Sequence, residues 1–223
     1  MDVRFDPVGF PLIQVPEIDA WVHWLPVTKI QFEHFICDAG DRAFGIRWYE
    51  DLLSLNPRVT AARVSADNYW QALLSGLQPV EAQRFAYWCG DGYRLPTDEE
   101  WSCAYRHLSA LEPVEPPQLA ELGGGSTRVR DLLEGIEAAS VTAAAILGYR
   151  RGRADQMLMR LGVFEWVTTG GEWAGRGEPS PGFCGNLADP ADAVPIRPLR
   201  PEQDRIGCFG CRLLWRAGAA GRA

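Results

Sequence analysis

Arg94-Leu95-Pro96-Thr97-Asp98-Glu99-Glu100-Trp101 is the stretch on which the reading of this 223-residue sequence turns. Thr97 followed three residues later by Glu100 is a capping box, and three acids in the first turn favour the positive end of a helix. Trp101, Ala104, Tyr105 and Leu108 then recur at helical spacing, so the stretch predicts a helix that starts sharply and buries one stripe. Asp91-Gly92-Tyr93-Arg94-Leu95-Pro96, leading into it, reads as a loop.

Working outward, the neighbouring segments read as further helices. Pro79 suits a first turn, and Ala82, Phe85, Ala86 and Cys89 form a stripe that stops at Gly90. Trp70, Leu73, Leu74 and Leu77 suggest another helix, weakened by Gly76, while 41–64 reads as irregular. Thr28 and Gln31 form a second capping box, ahead of Phe32, Phe35, Ile36 and Ala39, with Gly40 as the stop. Residues 127–148 carry Val129, Leu132, Leu133 and Ile136 on one face. Pro113, Pro116, Pro117 and Gly123-Gly124-Gly125 mark the stretch before it as a loop or lid. Extended segments lie at both ends: 10–27, where Trp21-Val22-His23-Trp24-Leu25 runs into Pro26, then Gly162–Thr168 and Cys208–Arg216. A long irregular excursion separates the last two. Helices in the middle and strands at both ends predict an α+β protein whose terminal segments meet in one sheet.

Composition narrows the chemistry. The chain is 47% hydrophobic and 23% charged, as globular proteins are, and its 29 acids outnumber its 22 bases. That balance argues against a nucleic-acid or anionic-membrane surface. Lys29 is the single lysine, which leaves little room for P-loop or Schiff-base chemistry. The basic tract Arg150-Arg151-Gly152-Arg153 reads as a solvated helix end. The segment MDVRFDPVGFPLIQV has no secretory signal pattern. No apolar run approaches the roughly 18 residues of a membrane span. A cytoplasmic protein with reduced cysteines is expected.

Several segments, in order, resemble the formylglycine-generating enzyme or sulfatase-modifying-factor family. Pro26-Val27-Thr28-Lys29-Ile30-Gln31-Phe32-Glu33-His34-Phe35 is similar to its PVT-x-x-QF-x-x-F segment, and Arg94–Trp101 to its RLPT-x-x-EW signature. Gly162-Val163-Phe164-Glu165-Trp166-Val167 resembles GNVWEW, Gly170-Gly171-Glu172-Trp173 resembles GGSW, and Phe209-Gly210-Cys211-Arg212-Leu213 resembles the terminal GFRL strand. The resemblance implies a C-type-lectin-like fold: a twisted antiparallel sheet, flanking helices and long irregular loops. It implies one domain over 1–223, family-like from about 10 to 216, with 109–156 as a divergent helical insertion. In a strand, Glu165 would face away from Phe164 and Trp166.

The family's chemistry needs residues that this chain distributes differently. Its oxidases hold copper with a C-x₄-C pair between the GGSW turn and the last strand, a soft-ligand arrangement suited to Cu(I). Here Trp173 to Ile206 contains only Cys184, and the earlier position falls near Ser180. Cys208 and Cys211 are a second weak metal candidate, but two thiolates do not make a four-ligand site. Iron-dependent relatives use several histidines, whereas His23, His34 and His107 fall on separate predicted elements. Calcium would need six to eight oxygens. The family's Asn is missing after Gly162, and Asn186, Asp189 and Asp192 read equally well as turns. Copper, iron and calcium are therefore implied by resemblance only.

The expectation is a binding module, a pseudoenzyme with a protein partner, and no nucleic-acid or membrane ligand. Its binding surface would be the long loop with Glu172, Trp173, Arg176, Glu178, Phe183, Asn186, Arg197, Arg200 and Arg205, a mixture suited to protein recognition. The alternative is a metal-dependent oxidoreductase, of formylglycine-generating or non-haem-iron type, with an altered site at Cys184 and one of Cys208 or Cys211.

Overall fold

The computed structural model describes residues 3–39, 46–56, 64–65, 69–110, 127–146, 161–179, 197–198 and 209–218. Eleven strands and five helices follow one another along these residues. They begin with β1 (Val3–Phe5), β2 (Pro11–Val15), β3 (Ala20–His23), α1 (Lys29–Ala39), α2 (Ile46–Leu55) and α3 (Pro79–Cys89). Next come β4 (Tyr93–Arg94), α4 (Asp98–Ala110), α5 (Thr127–Ile146), β5 (Leu161–Gly162), β6 (Phe164–Thr169) and β7 (Glu172–Arg176). The chain continues through β8 (Glu178–Pro179), β9 (Arg197–Pro198), β10 (Phe209–Gly210) and β11 (Leu214–Trp215). The architecture is mixed α+β. Among the described residues no helix is long and apolar enough to cross a membrane.

The two ends of the chain do meet in one sheet. Its strand order is β1-β2-β3-β11-β4, antiparallel throughout, with Leu214 opposite Val22 on one side and Arg94 on the other. A second sheet runs β10-β6-β7-β9. The expected antiparallel pattern is broken in two places, because β10 pairs with β6 and β5 with β8 in parallel.

Both capping boxes form. The Thr28 N–H donates to Gln31 Oε1 at 2.7 Å, and the Thr97 N–H donates to Glu100 Oε2 at 2.9 Å while the Glu100 N–H returns to Thr97 Oγ1 at 3.2 Å. Helix α3 adds a third, unexpected box between Gln78 and Glu81.

Two apolar clusters fill the interior. One face of the first sheet (Ile13, Val15, Ala20, Val22, Leu214) packs on Trp101, Ala104 and Leu108 of α4 and on Val129, Leu132, Leu133 and Ile136 of α5. The other cluster joins Phe32 and Phe35 of α1 to Phe85 and Cys89 of α3 and to Phe164, Trp166 and Phe209 of the second sheet.

Between them lies a buried ion pair. Arg212 has no solvent exposure and Glu165 has 2%. The guanidinium donates to both carboxylate oxygens at 2.9 and 2.8 Å, and the Trp101 indole donates to Glu165 at 2.7 Å. The remaining guanidinium nitrogen donates to the carbonyls of His23, at 2.8 Å, and of Trp24. Glu165 thus turns away from Phe164 and Trp166, as strand alternation requires.

Four expected elements come out differently. Helix α2 occupies part of 41–64: Trp48 and Leu52, four residues apart, face inward, and the Trp48 indole donates to Glu81, but no capping pattern announces the helix. The 70–77 stripe is a 3₁₀ turn (Tyr69–Ala72) followed by extended chain, since the Leu74 N–H donates to the Val27 carbonyl and the Leu77 N–H to that of Phe209. An unbroken apolar run suits a buried extended segment as well as a helix, and only the partners decide. Of the strand expected over 208–216, the described residues 209–216 divide into β10 and β11 in separate sheets, because the chain turns Arg212 inward between them. The excursion expected after Trp173 begins instead as β7, paired residue for residue with β6.

Two stability outcomes follow. Arg212→Leu or Glu165→Leu strands one buried charge and should cost about 3–5 kcal/mol. The double variant should lose less than the sum of the two in urea unfolding, and simple additivity would refute the coupling. Gly210→Ala should also destabilise, by about 1–3 kcal/mol, because its Cβ would stand 2.5 Å from the Leu74 carbonyl oxygen and 2.8 Å from Val163. An unchanged urea midpoint would contradict that packing.

Candidate binding cleft

Helix α3 ends at Gly90, whose φ of 115° only glycine adopts comfortably, and Gly92 follows at 90°. Gly92 is also required for space: a Cβ there would lie 2.5 Å from the Arg216 carbonyl oxygen. The Arg216 N–H donates to the Gly92 carbonyl, and the Trp215 indole donates to the Asp91 carbonyl at 3.0 Å. The 90–92 loop is therefore clamped against the end of β11.

On the other side, Gly170 and Gly171 (φ 59° and 87°) make the turn joining β6 to β7 and set Trp173 opposite Thr168. Thr168 in turn pairs with Thr97, and its N–H donates to the Pro96 carbonyl at 3.2 Å. The capped start of α4 thereby holds the hairpin beside the loop. Between them opens a cleft of about 480 Å³, lined by Tyr87, Tyr93, Trp173, Gln83, Asp91 and Arg94 among others. Tyr87 is 85% exposed and presents its ring to solvent at the edge of the cleft.

Arg94 is held rather than free. It donates to Glu100 at 2.7 and 2.5 Å and to its neighbour's carbonyl, and Arg216 approaches Glu100 at 3.4 Å. Burial alone would raise the Glu100 carboxyl, but the Arg94 and Thr97 hydrogen bonds outweigh it and hold it below its ordinary value. Burial also pushes the Tyr93 phenol up, so it stays neutral and able to donate. Behind Tyr93, at 6.3 Å between ring centroids, lies the buried His23 ring. Its Nε2 is 3.2 Å from Asp6 Oδ2, within ion-pair range though misaligned for a hydrogen bond. Asp6 Oδ1 accepts the Val8, Gly9 and Phe10 N–H groups at 2.8–2.9 Å, and Gln31 donates to Oδ2. Burial opposes ionisation of Asp6, yet His23 and these hydrogen bonds leave its carboxyl lowered.

Of the residues singled out in the sequence, Glu172 is exposed at the start of β7 and Trp173 is half-buried on the cleft. Arg176 turns inward to Asp98 and donates to Ser102 at 2.8 Å, so it braces α4 against β7. Glu178 lies in β8 and Arg197 in β9, where it pairs with Gly175. Phe183, Cys184, Asn186, Arg200, Arg205 and Cys208 lie outside the described residues, as do the 112–125 loop and the Arg150–Arg153 tract. Cys211 is fully buried, and burial pushes its thiol up, which disfavours the thiolate a metal needs. His34 is exposed on α1, and His107 pairs with Glu17 at 3.0 Å, so neither joins His23. Among the described residues no three metal-ligating side chains converge.

Tyr87, Tyr93 and Asp91 were not singled out in the sequence. Tyr87 stands four residues after Gln83 on the solvent side of α3, a pattern visible but uninformative until Trp173 arrives from a distant hairpin. Compared with known proteins, the chain matches no protein-family model and no curated protein.

The lowered carboxyls of Asp6 and Glu100 set an acid limit. Their contribution is complete above their ordinary values of 3.8 and 4.5 and is lost as pH falls through the lower folded values. The melting temperature should hold steady above about pH 4.5 and drop below it. Asp6→Asn, which can still accept the backbone N–H groups, should flatten that drop. A slope identical to wild type would remove Asp6 from the account.

Proposed function

We propose that this chain is a divergent domain of the formylglycine-generating-enzyme or sulfatase-modifying-factor kind, C-type-lectin-like in architecture, that serves as a protein- or ligand-binding module in a cytoplasmic partner system. The observation that carries the binding reading is the cleft in which Trp173 meets Tyr87 and Tyr93. Tyrosine and tryptophan give the most binding energy per side chain in protein recognition, because they are large, rigid and amphipathic. The loops that present them are pinned by glycines and backbone hydrogen bonds, which lowers the entropy lost on binding.

The family resemblance draws support from where its segments fall. The RLPT-x-x-EW stretch is β4 and the capped start of α4, GVFEWV leads into and through β6, GGEW is the β6–β7 turn, and FGCRL carries the buried Arg212. Apart from the local GGEW turn, each of these segments makes a contact that joins distant parts of the fold. The fully buried Cys211 thiol speaks for a packing role and against a copper ligand at that position.

Metal content and partner capture test the proposal together. Purified protein should be folded without stoichiometric copper or iron, and a partner retained by wild type should be lost on Trp173→Ala or Tyr87→Ala. Stoichiometric copper or iron that disappears on Cys184→Ser would overturn the module in favour of a metal-dependent oxidoreductase.

A further inference from the structure

Trp21, Trp215 and Tyr93 occupy one cross-strand row of the first sheet. Trp215 is the register partner of Trp21 on β3 and of Tyr93 on β4, so the three rings stand on the same face. Over the middle ring of this row, and toward Trp21, the chain places a guanidinium of its own. Arg4 lies 3.6 Å from the Trp215 ring centroid and 5.6 Å from that of Trp21, the geometry of a cation over an aromatic face. At the other end Tyr93 opens into the cleft with Tyr87 and Trp173. There the rings have no cation stacked on them among the described residues, and Arg94 is turned to Glu100 instead. The exposed Asp91 sits on the rim, its backbone fixed by the Trp215 indole.

We infer that the cleft receives an arginine side chain from a partner protein, its guanidinium lying among Tyr87, Tyr93 and Trp173 with Asp91 as counter-charge. The inference rests on the binding-module reading and names its ligand chemistry. Three features favour a cation over a neutral or anionic group: the aromatic lining, the rim carboxylate, and a chain whose formal net charge is −7. Guanidinium suits the site better than ammonium because it is planar, stacks on rings and is weakly hydrated. Arg4 shows that the same row of rings accepts that group.

The probe is an Arg-Gly-Gly repeat peptide, with versions in which citrulline or lysine replaces every arginine. Titration into the full chain, followed by the tryptophan indole N–H resonances, should show saturable shifts with the arginine peptide that weaken as salt rises. The citrulline peptide, equal in shape but uncharged, should bind about 10-fold more weakly, and the lysine peptide should fall between them. Tyr87→Ala removes an exposed side chain and Asp91→Asn keeps the loop shape, so both variants should fold. Each should weaken the arginine peptide several-fold. Equal binding of arginine and citrulline peptides, or arginine binding untouched by both variants, would overturn the inference. If a partner captured by wild type is lost on Trp173→Ala while no arginine peptide binds, the cleft is a binding site but not for guanidinium. The inference then fails and the module stands. If neither partner nor peptide depends on these residues, both fail.

Discussion

The guanidinium of Arg212 is the point through which the fold is tied. Removing a full charge from water is expensive, and such a pair survives inside a protein only when every donor and acceptor is used. Here Glu165 takes two of the hydrogen bonds, the carbonyls of His23 and Trp24 take others, and Trp101 completes Glu165. One interaction therefore reaches β6, the end of β3, helix α4 and the segment between β10 and β11. The constraint is geometric as much as energetic: planar groups that bond edge to edge fix both distance and orientation. Apolar contacts in the surrounding clusters supply bulk stability but would tolerate sliding.

That fixation extends to the cleft. Three residues after Arg212 comes Trp215, which pairs with Tyr93 and anchors Asp91. Three residues after Glu165 comes Thr168, opposite Trp173. The two walls of the cleft are thus outgrowths of the two partners in the buried pair. Arg176, bonded to Asp98 and Ser102, holds β7 against α4 and keeps the walls from separating. A surface built this way is preformed, which suits recognition by rigid aromatic anchors.

Helix starts were the most legible features because their signals are local. Thr97 with Glu100 and Thr28 with Gln31 identify helix starts within four residues, and the structure shows both boxes closed. The Gly170-Gly171 turn is equally local. Where a segment's conformation depends on distant chain, the pattern misled. Leu73, Leu74 and Leu77 have helical spacing, yet their segment is held extended by Val27 and Phe209. Arg176 sits in a stretch that reads as an exposed loop, yet its charge is absorbed by Asp98. Tyr87 and Asp91 carried no signal at all, since nothing in their neighbourhood reveals that a hairpin about 80 residues later faces them.

By itself, then, the sequence determined the α+β class, the meeting of the chain's two ends in one sheet, the capped helices and the inward stripes of α3, α4 and α5. These follow from backbone propensity, capping and hydrophobic period, which act over a few residues. The tertiary structure alone decided that Glu165 and Arg212 would be buried together, that the 209–215 segment would serve two sheets, and that Trp173 would share a cleft with Tyr87 and Tyr93. The physical reason is range. A buried charge or an exposed ring acquires its meaning from what the fold sets beside it, and those neighbours lie tens to more than a hundred residues away in the chain.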